Sequence, residues 1–204
     1  MGTQIHLHRA EPHELDTVTQ VFARAGADEA VTAWITDNEP GIVEQYRTVF
    51  APQTIADALR DDEIWVAGDG TEIWAVSLWQ TVHTHDRLHR DAAYLRDLYD
   101  QAPHPSLRRL RALTGLLSET HPAEFPHRYL QAIVTLPEHR GKGAGAALVT
   151  DRADAAAADG LPTYLEASTE RSAHLYTRCG FALEGELIAL PEDGPVLRPM
   201  WFRG

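Results

Sequence analysis

The chain has 204 residues, of which 44% are hydrophobic and 24% charged, a composition that supports a buried core and excludes a disordered or fibrous chain. Its formal charge of −12 repels nucleic acid and anionic membrane surfaces and favours a neutral or cationic small partner. No stretch reaches the roughly 18 apolar positions of a membrane span, and the N-terminal residues lack the basic-then-apolar pattern of a secretion signal, so a cytoplasmic protein is expected.

IHLHRA at 5–10 alternates as a strand does, with Ile5 and Leu7 on one face. EPHELDTVTQVFARAG predicts a helix: Pro12 fits its first turn, Leu15, Val18, Val21 and Phe22 form an apolar stripe, and Gly26 ends it. Helical patterning continues through AVTAWI and GIVEQYRTVFAPQTIADALRD, with breaks expected at Pro40 and Pro52. Two β-rich runs then flank Gly68-Asp69-Gly70, a hairpin signal. Residues 86–118 read as two helices parted by Pro103 and Pro105, and HPAEFP is a break. From Arg128, RYLQAIVTLP is almost uninterruptedly apolar, as a strand covered on both faces must be. A glycine-rich loop follows, then a helix ending at Gly160, the strand PTYLEAS, the short helix RSAHLYTRCG, and two closing strands in FALEGELIAL and VLRPMWF joined by EDGP. Without repeats or linkers, one α/β domain over 1–204 is the expectation.

Cys179 is the only cysteine, and it precedes Gly180 at a helix C-terminus, where the negative dipole end disfavours a thiolate; a structural role is expected. His83, His85 and His89 in VHTHDRLH match no metal-ligand spacing, so no metal site is expected, and these side chains fit a pocket wall or a solvated helix face.

The chemistry concentrates in EHRGKGAGAALV, Glu138 to Val149. Strand, glycine loop and helix together leave unpaired N–H groups at the positive end of a helix dipole, which makes an anion site. Arg140 and Lys142, the latter the only lysine in the chain, add charge at its rim. A plain tight turn would need no such density of glycines and cations. A Walker phosphate loop fails because no Gly-Lys-Ser/Thr closes it. Gly141, Gly143 and Ala146 fit a dinucleotide fingerprint with Glu166 as its distant acid, but LPEHR intervenes after the strand and too few residues remain downstream for a doubly wound sheet.

AIVTLPEHRGKGAGAAL resembles the acetyl-CoA signature of the GNAT N-acetyltransferases, R/Q-x-x-G-x-G/A after a central strand, with Arg140, Gly143 and Gly145 at the defining positions. YLEASTERSAHLYTRCGF is similar to the second half of that motif, and the likeness spans roughly residues 63 to 200. It implies an α/β (α+β) fold: a mixed, mostly antiparallel sheet with helices on both faces and splayed central strands, here 128–136 and 163–168. On that mapping the backbone of Ile133, Val134 and Thr135 pairs with the pantetheine arm of acetyl-CoA. The amides of Arg140, Gly141, Lys142, Gly143, Ala144 and Gly145 hold the pyrophosphate. Thr169 stands where many relatives have an asparagine touching the cofactor arm. Tyr176 takes the place of the family tyrosine that protonates the leaving thiolate.

Strand alternation puts Tyr164, Glu166 and Ser168 on one face, so Glu166 is either the base that takes the amine proton or a paired structural carboxylate; Glu124 is a lesser candidate. Trp34, Tyr46, Trp79 and His83 are candidates to line the acceptor pocket or are core. The implied activity is acetyl-CoA-dependent N-acetylation of a small-molecule amine, with coenzyme A as the product, by a monomer or homodimer. An aminoacyl-nucleoside or similar antibiotic (detoxification) is the most concrete acceptor; a polyamine, an amino-acid derivative or a protein N-terminus are others. The competing class is a sensor that binds acyl-CoA without turnover.

Overall fold

The computed structural model describes residues 4–204. Its first elements are β1 (His6–Arg9), a 3-10 turn (Pro12–Glu14), α1 (Leu15–Gly26), α2 (Ala30–Thr36), α3 (Pro40–Gln45), a π-helical turn (Tyr46–Phe50) and α4 (Ala51–Asp61). The hairpin β2 (Glu63–Gly68) and β3 (Ile73–Val82) leads to α5 (Asp86–Gln101), α6 (Pro105–Thr120) and β4 (His127–Thr135). After the glycine loop come α7 (Ala144–Ala158), β5 (Thr163–Ala167), α8 (Glu170–Arg178), β6 (Ala182–Leu183), β7 (Ile188–Ala189) and β8 (Val196–Phe202).

The sheet runs β1-β2-β3-β4-β5-β8-β6, with β7 also paired to β8. Every pairing is antiparallel except that of β4 with β5. Helices cover both faces, as expected from the resemblance. On one side Val18 and Phe22 of α1 and Ile55 and Ala58 of α4 pack on Ile64, Val66, Val76 and Leu78. On the other, Ala144 and Leu148 of α7 pack on Ala67 and Ala75, while Val149, Ala153 and Tyr176 pack with Trp79, Leu130 and Leu165. Two covered faces explain why β3 and β4 read as apolar runs, since each large side chain so buried adds about 1.5–3 kcal/mol.

The register of β3 against β4 places Leu78 opposite Ala132 but Trp79 opposite Leu130, so Gln131 is an extra residue, a bulge. A bulge bends its strand and shifts the phase of its side chains. Before it Leu130 faces α7 and α8; after it Ile133 takes that side and Ala132 and Val134 face α1. The strand then leaves β5, for the parallel pairing is confined to Arg128 with Thr163 and Tyr129 with Tyr164. Beyond those pairs β4 and β5 diverge into a wedge.

Three expectations change. Pro52 does not break the helical path, which is continuous from Pro40 to Asp61: the π turn ending at Phe50 puts Pro52 in the first turn of α4, where its missing N–H matters least. Strand boundaries move by a residue, β4 running 127–135 and β5 ending at Ala167. The final segment forms three strands rather than two, because Gly185, at φ +118, parts β6 from β7.

Candidate active site

Leaving β4, the Leu136 N–H bonds the Trp74 carbonyl (2.9 Å), and a single 3-10 turn (Pro137–His139) carries the chain into the loop. Gly141 and Gly143 lie at φ +80 and +93, a region that costs a residue with a Cβ roughly 1–2 kcal/mol. Gly143 caps α7, whose first hydrogen bond runs from Ala147 N–H to the Gly143 carbonyl (2.9 Å). The amides of Arg140 and Lys142 are engaged within the turn, by the carbonyls of Pro137 and His139 (each 3.3 Å). Those of Gly141, Gly143, Ala144, Gly145 and Ala146 have no acceptor among the described residues. Five free donors at the positive end of a 15-residue helix form an anion cradle. Sequence reasoning placed four of them and missed Ala146.

Of the two cations at the loop, Arg140 is held by a distant carboxylate and Lys142 stays beside the turn. Arg140 grips Asp28 with both terminal nitrogens (2.6 and 2.8 Å), and its Nε–H bonds the Thr135 carbonyl (3.1 Å). Those bonds keep the Asp28 carboxyl below its ordinary range. With the Arg24–Glu138 ion pair, they tie the end of α1 to the loop. Lys142 Nζ sits 3.1 Å from His139 Nδ1 and 5.3 Å from the centroid of Trp74, on which His139 stacks.

A cavity of about 280 Å³ fills the wedge between β4 and β5. Ile133 and Val134 form part of its wall, and Glu166, Ser168, Tyr176, Tyr46 and Glu29 supply its polar groups. Tyr176 is 6% exposed, and burial, with a contribution from Glu29, raises its phenol well above the ordinary range. At neutral pH such a phenol is fully protonated and holds a proton to donate. Glu166 accepts a bond from the Tyr129 hydroxyl at Oε2 (2.8 Å), while its Oε1 is buried without a partner.

Glu29 and Tyr46 enter from the N-terminal third of the chain. Glu29 caps α2: its Oε2 accepts from the N–H groups of Val31 (2.8 Å) and Thr32 (3.2 Å), and its Oε1 accepts from Ser168 Oγ–H (2.6 Å). Sequence reasoning missed it because an acidic residue before a helix reads as a cap, which it also is. Tyr46 comes from the π turn, and burial pushes its phenol up to about 12. Its hydroxyl lies against Gly26, where any Cβ would collide with it.

Other candidates lie elsewhere. The Thr169 hydroxyl caps α8, accepting from Ser172 N–H (3.0 Å). Trp34, Ser168 and Thr169 line an adjoining open pocket of about 500 Å³ with Asn38 and Arg109. Trp79 is fully buried, its Nε1–H bonded to Ser77 Oγ (2.9 Å), and belongs to the core. His83 lines a separate cavity beside Asp86 and Arg87. Glu124 is in a surface ion pair with Arg203 (2.8 Å), outside the wedge. His85 braces the carbonyls of His121 and Pro122 (3.0 and 3.1 Å), and Cys179 is buried.

A sheet opened at its centre over a glycine anion cradle, with carboxylates and phenols on one cavity, defines an acyltransferase. The chain belongs to the acetyltransferase (GNAT) family, whose model matches residues 29–181. A Corynebacterium glutamicum protein described as histone acetyltransferase HPA2 and related acetyltransferase is similar at 27% identity and TM-score 0.68, over 97% of this chain and 94% of that one. Arylalkylamine N-acetyltransferase 2 from Aedes aegypti superposes with TM-score 0.74 at 15% identity, covering 97% and 98%. The Drosophila melanogaster polyamine N-acetyltransferase, which forms N-acetylagmatine, gives 0.67 at 15%, covering 98% and 100%. At 15% identity these two likenesses show the fold alone.

Proposed function

We propose that this chain, acting as one domain, transfers an acetyl group from acetyl-CoA to the primary amine of a small molecule with an apolar body. The observation that carries the reading is the junction of five free amides, an unpaired β4 edge and a cavity holding Glu29, Glu166 and Tyr176. Acetyl-CoA, the family's donor, supplies the thioester. The amides of Gly141 and Gly143 to Ala146 would hold its pyrophosphate, with Lys142 at the rim, and Ile133 to Thr135 its pantetheine arm. Arg140 and Thr169 support the site through Asp28 and the α8 cap. Glu166, which lines the cavity, takes the proton of the arriving ammonium, directly or through water. Tyr176 gives its proton to the departing sulfur.

Apolar walls from Phe22, Val31, Ile35 and Leu197 favour an aryl or alkyl amine. A larger acceptor would extend into the 500 Å³ pocket, since Ser168 lines both spaces. The segments IWVAGDG, AVSLWQT, PTYLEAS and LPEDGP resemble puromycin N-acetyltransferase, so an aminoacyl-nucleoside antibiotic, acetylated in the cytoplasm as a resistance function, is the most concrete acceptor of that size. A second reading makes Glu29 the base, because its charge acts on both Tyr46 and Tyr176. Glu29→Gln and Glu166→Gln separate the two: the base is the residue whose loss lowers kcat more.

The test is acetyl-CoA with a panel of arylalkylamines, agmatine, a polyamine, puromycin and a peptide N-terminus, read by thiol release and acceptor mass. Acetylation of at least one small amine is expected. Acetyl-CoA binding with no transfer to any member would favour a sensor. Acetyl-CoA should also raise the melting temperature, and equal stabilisation by NADH would return the dinucleotide reading.

A further inference from the structure

Behind Glu166 lies a group of buried polar side chains that the reaction above does not use. His121 follows α6, His127 opens β4, and Tyr164 stands on β5; the His121 side chain is fully enclosed, and His127 and Tyr164 are 0% exposed. His127 Nδ1–H donates to the Glu124 carbonyl (2.6 Å), which leaves His127 Nε2 as an acceptor. The Nε2 of His121, 3.0 Å away, must then carry a hydrogen, so His121 Nδ1 is a bare lone pair. It lies 3.8 Å from Glu166 Oε1. Neither atom has a hydrogen-bond partner; the Tyr164 hydroxyl, whose ring is 5.1 Å from that of His121, has none either, but it lies close enough to Glu166 for that carboxylate to act on it. Two bare acceptors face each other in a site closed to solvent, an arrangement that one proton between them relieves.

We propose that Glu166, His121 and His127 form a proton reservoir for the acetyl transfer, with His121 and His127 as positioning residues that act through Glu166. The inference rests on Glu166 as the base. In each turnover an ammonium N–H bond breaks and an O–H bond forms on Glu166. That proton moves to His121 Nδ1, and the Nε2–H of His121 passes to Nε2 of His127. Of the three ammonium hydrogens, the amide keeps one, the sulfur gains one by way of Tyr176, and the reservoir takes the third until the product leaves. Burial holds the His127 imidazolium below its ordinary range, so the store empties readily. Around His121 the titratable groups are Glu166 and Tyr164 from β5, His127 and Tyr129 from β4, and His85 before α5.

The test is a nitrogen-15 NMR titration of the histidine rings in the CoA-bound protein from about pH 5 to 9, with His121→Gln and His127→Gln providing the assignments. The two rings are expected to titrate as one coupled unit, and Glu166→Gln should displace that step. Independent titration, unmoved by Glu166→Gln, overturns the reservoir. In turnover, His121→Gln should lower kcat about tenfold and shift the acid limb of the pH profile, with KM for the amine within about twofold. An unshifted limb also overturns the proposal. If His121→Gln does not fold, the comparison of wild type with Glu166→Gln decides. Acetylated amines with uncoupled rings would leave the acetyltransferase reading standing and sink only the reservoir; no acetylated amine in the panel would sink both.

Discussion

The proposed donor side and the proposed acceptor side of the wedge are built by opposite means. On the donor side, one contiguous stretch from β4 through the glycine loop into α7 offers mainly backbone: a strand edge without a partner and five amides without acceptors. On the acceptor side, side chains converge from distant elements: Glu29 before α2, Tyr46 from the π turn, Glu166 on β5, and Tyr176 on α8. A backbone site tolerates changes of side chain so long as the conformation survives. A site made of side chains can be re-specified one residue at a time without touching donor binding, which makes it the place where relatives of one fold would diverge in acceptor.

Substitutions on each side should therefore separate binding from chemistry. The largest effect is expected for Tyr176→Phe, which removes one hydroxyl from a packed helix: kcat should fall by about 10² to 10⁴ with KM for acetyl-CoA nearly unchanged, measured under chemistry-limited conditions. Because burial raises this phenol, wild-type activity should show no loss from its ionisation below about pH 10. A parallel loss of donor affinity would break the separation. Next comes Gly143→Val, where a β-branched residue must adopt φ +93 and meets Ile5. Affinity for CoA in calorimetry should drop about a hundredfold, roughly 2.7 kcal/mol, and urea unfolding should register a loss of about 1–2 kcal/mol. Unchanged CoA affinity would show that the loop serves the fold rather than the donor.

The smallest effect is expected where the two sides are joined, at Asp28 and Arg140. The Asp28 carboxyl is lowered in the folded state, so the pair's stabilisation is complete above the ordinary value of 3.8 and is lost as pH falls through the lower folded value. Asp28 is about half exposed, so Asp28→Asn should cost under about 1 kcal/mol at neutral pH and should flatten the stability curve below about pH 4. A large drop in turnover for Asp28→Asn would mean that the two sides are coupled and would sharpen the comparison into a linkage.

This division also explains what was legible in the sequence. The glycine loop, the strand before it and the helix after it are adjacent in the chain, and the need for left-handed backbone at Gly141 and Gly143 selects glycine, so type and spacing point to the proposed anion cradle. Glu166 could be read from strand alternation, and Tyr176 only from the family motif. Glu29 could not, because its cap bonds to Val31 and Thr32 look the same whether or not the carboxylate also meets Ser168. Arg140 was legible as a cation but not as a partner of Asp28, 112 positions away. Pro52 misled because the π turn that accommodates it leaves no mark in apolar spacing.

The most direct measurement is the affinity of the double variant Tyr176→Phe/Glu166→Gln for coenzyme A by calorimetry. If donor binding is a property of the backbone and chemistry a property of the facing side chains, the dissociation constant should stay within about threefold of wild type, a change of about 0.65 kcal/mol, while amine acetylation falls below detection. A tenfold or greater loss of CoA affinity would contradict that division, because the two side chains would then be part of the donor site itself.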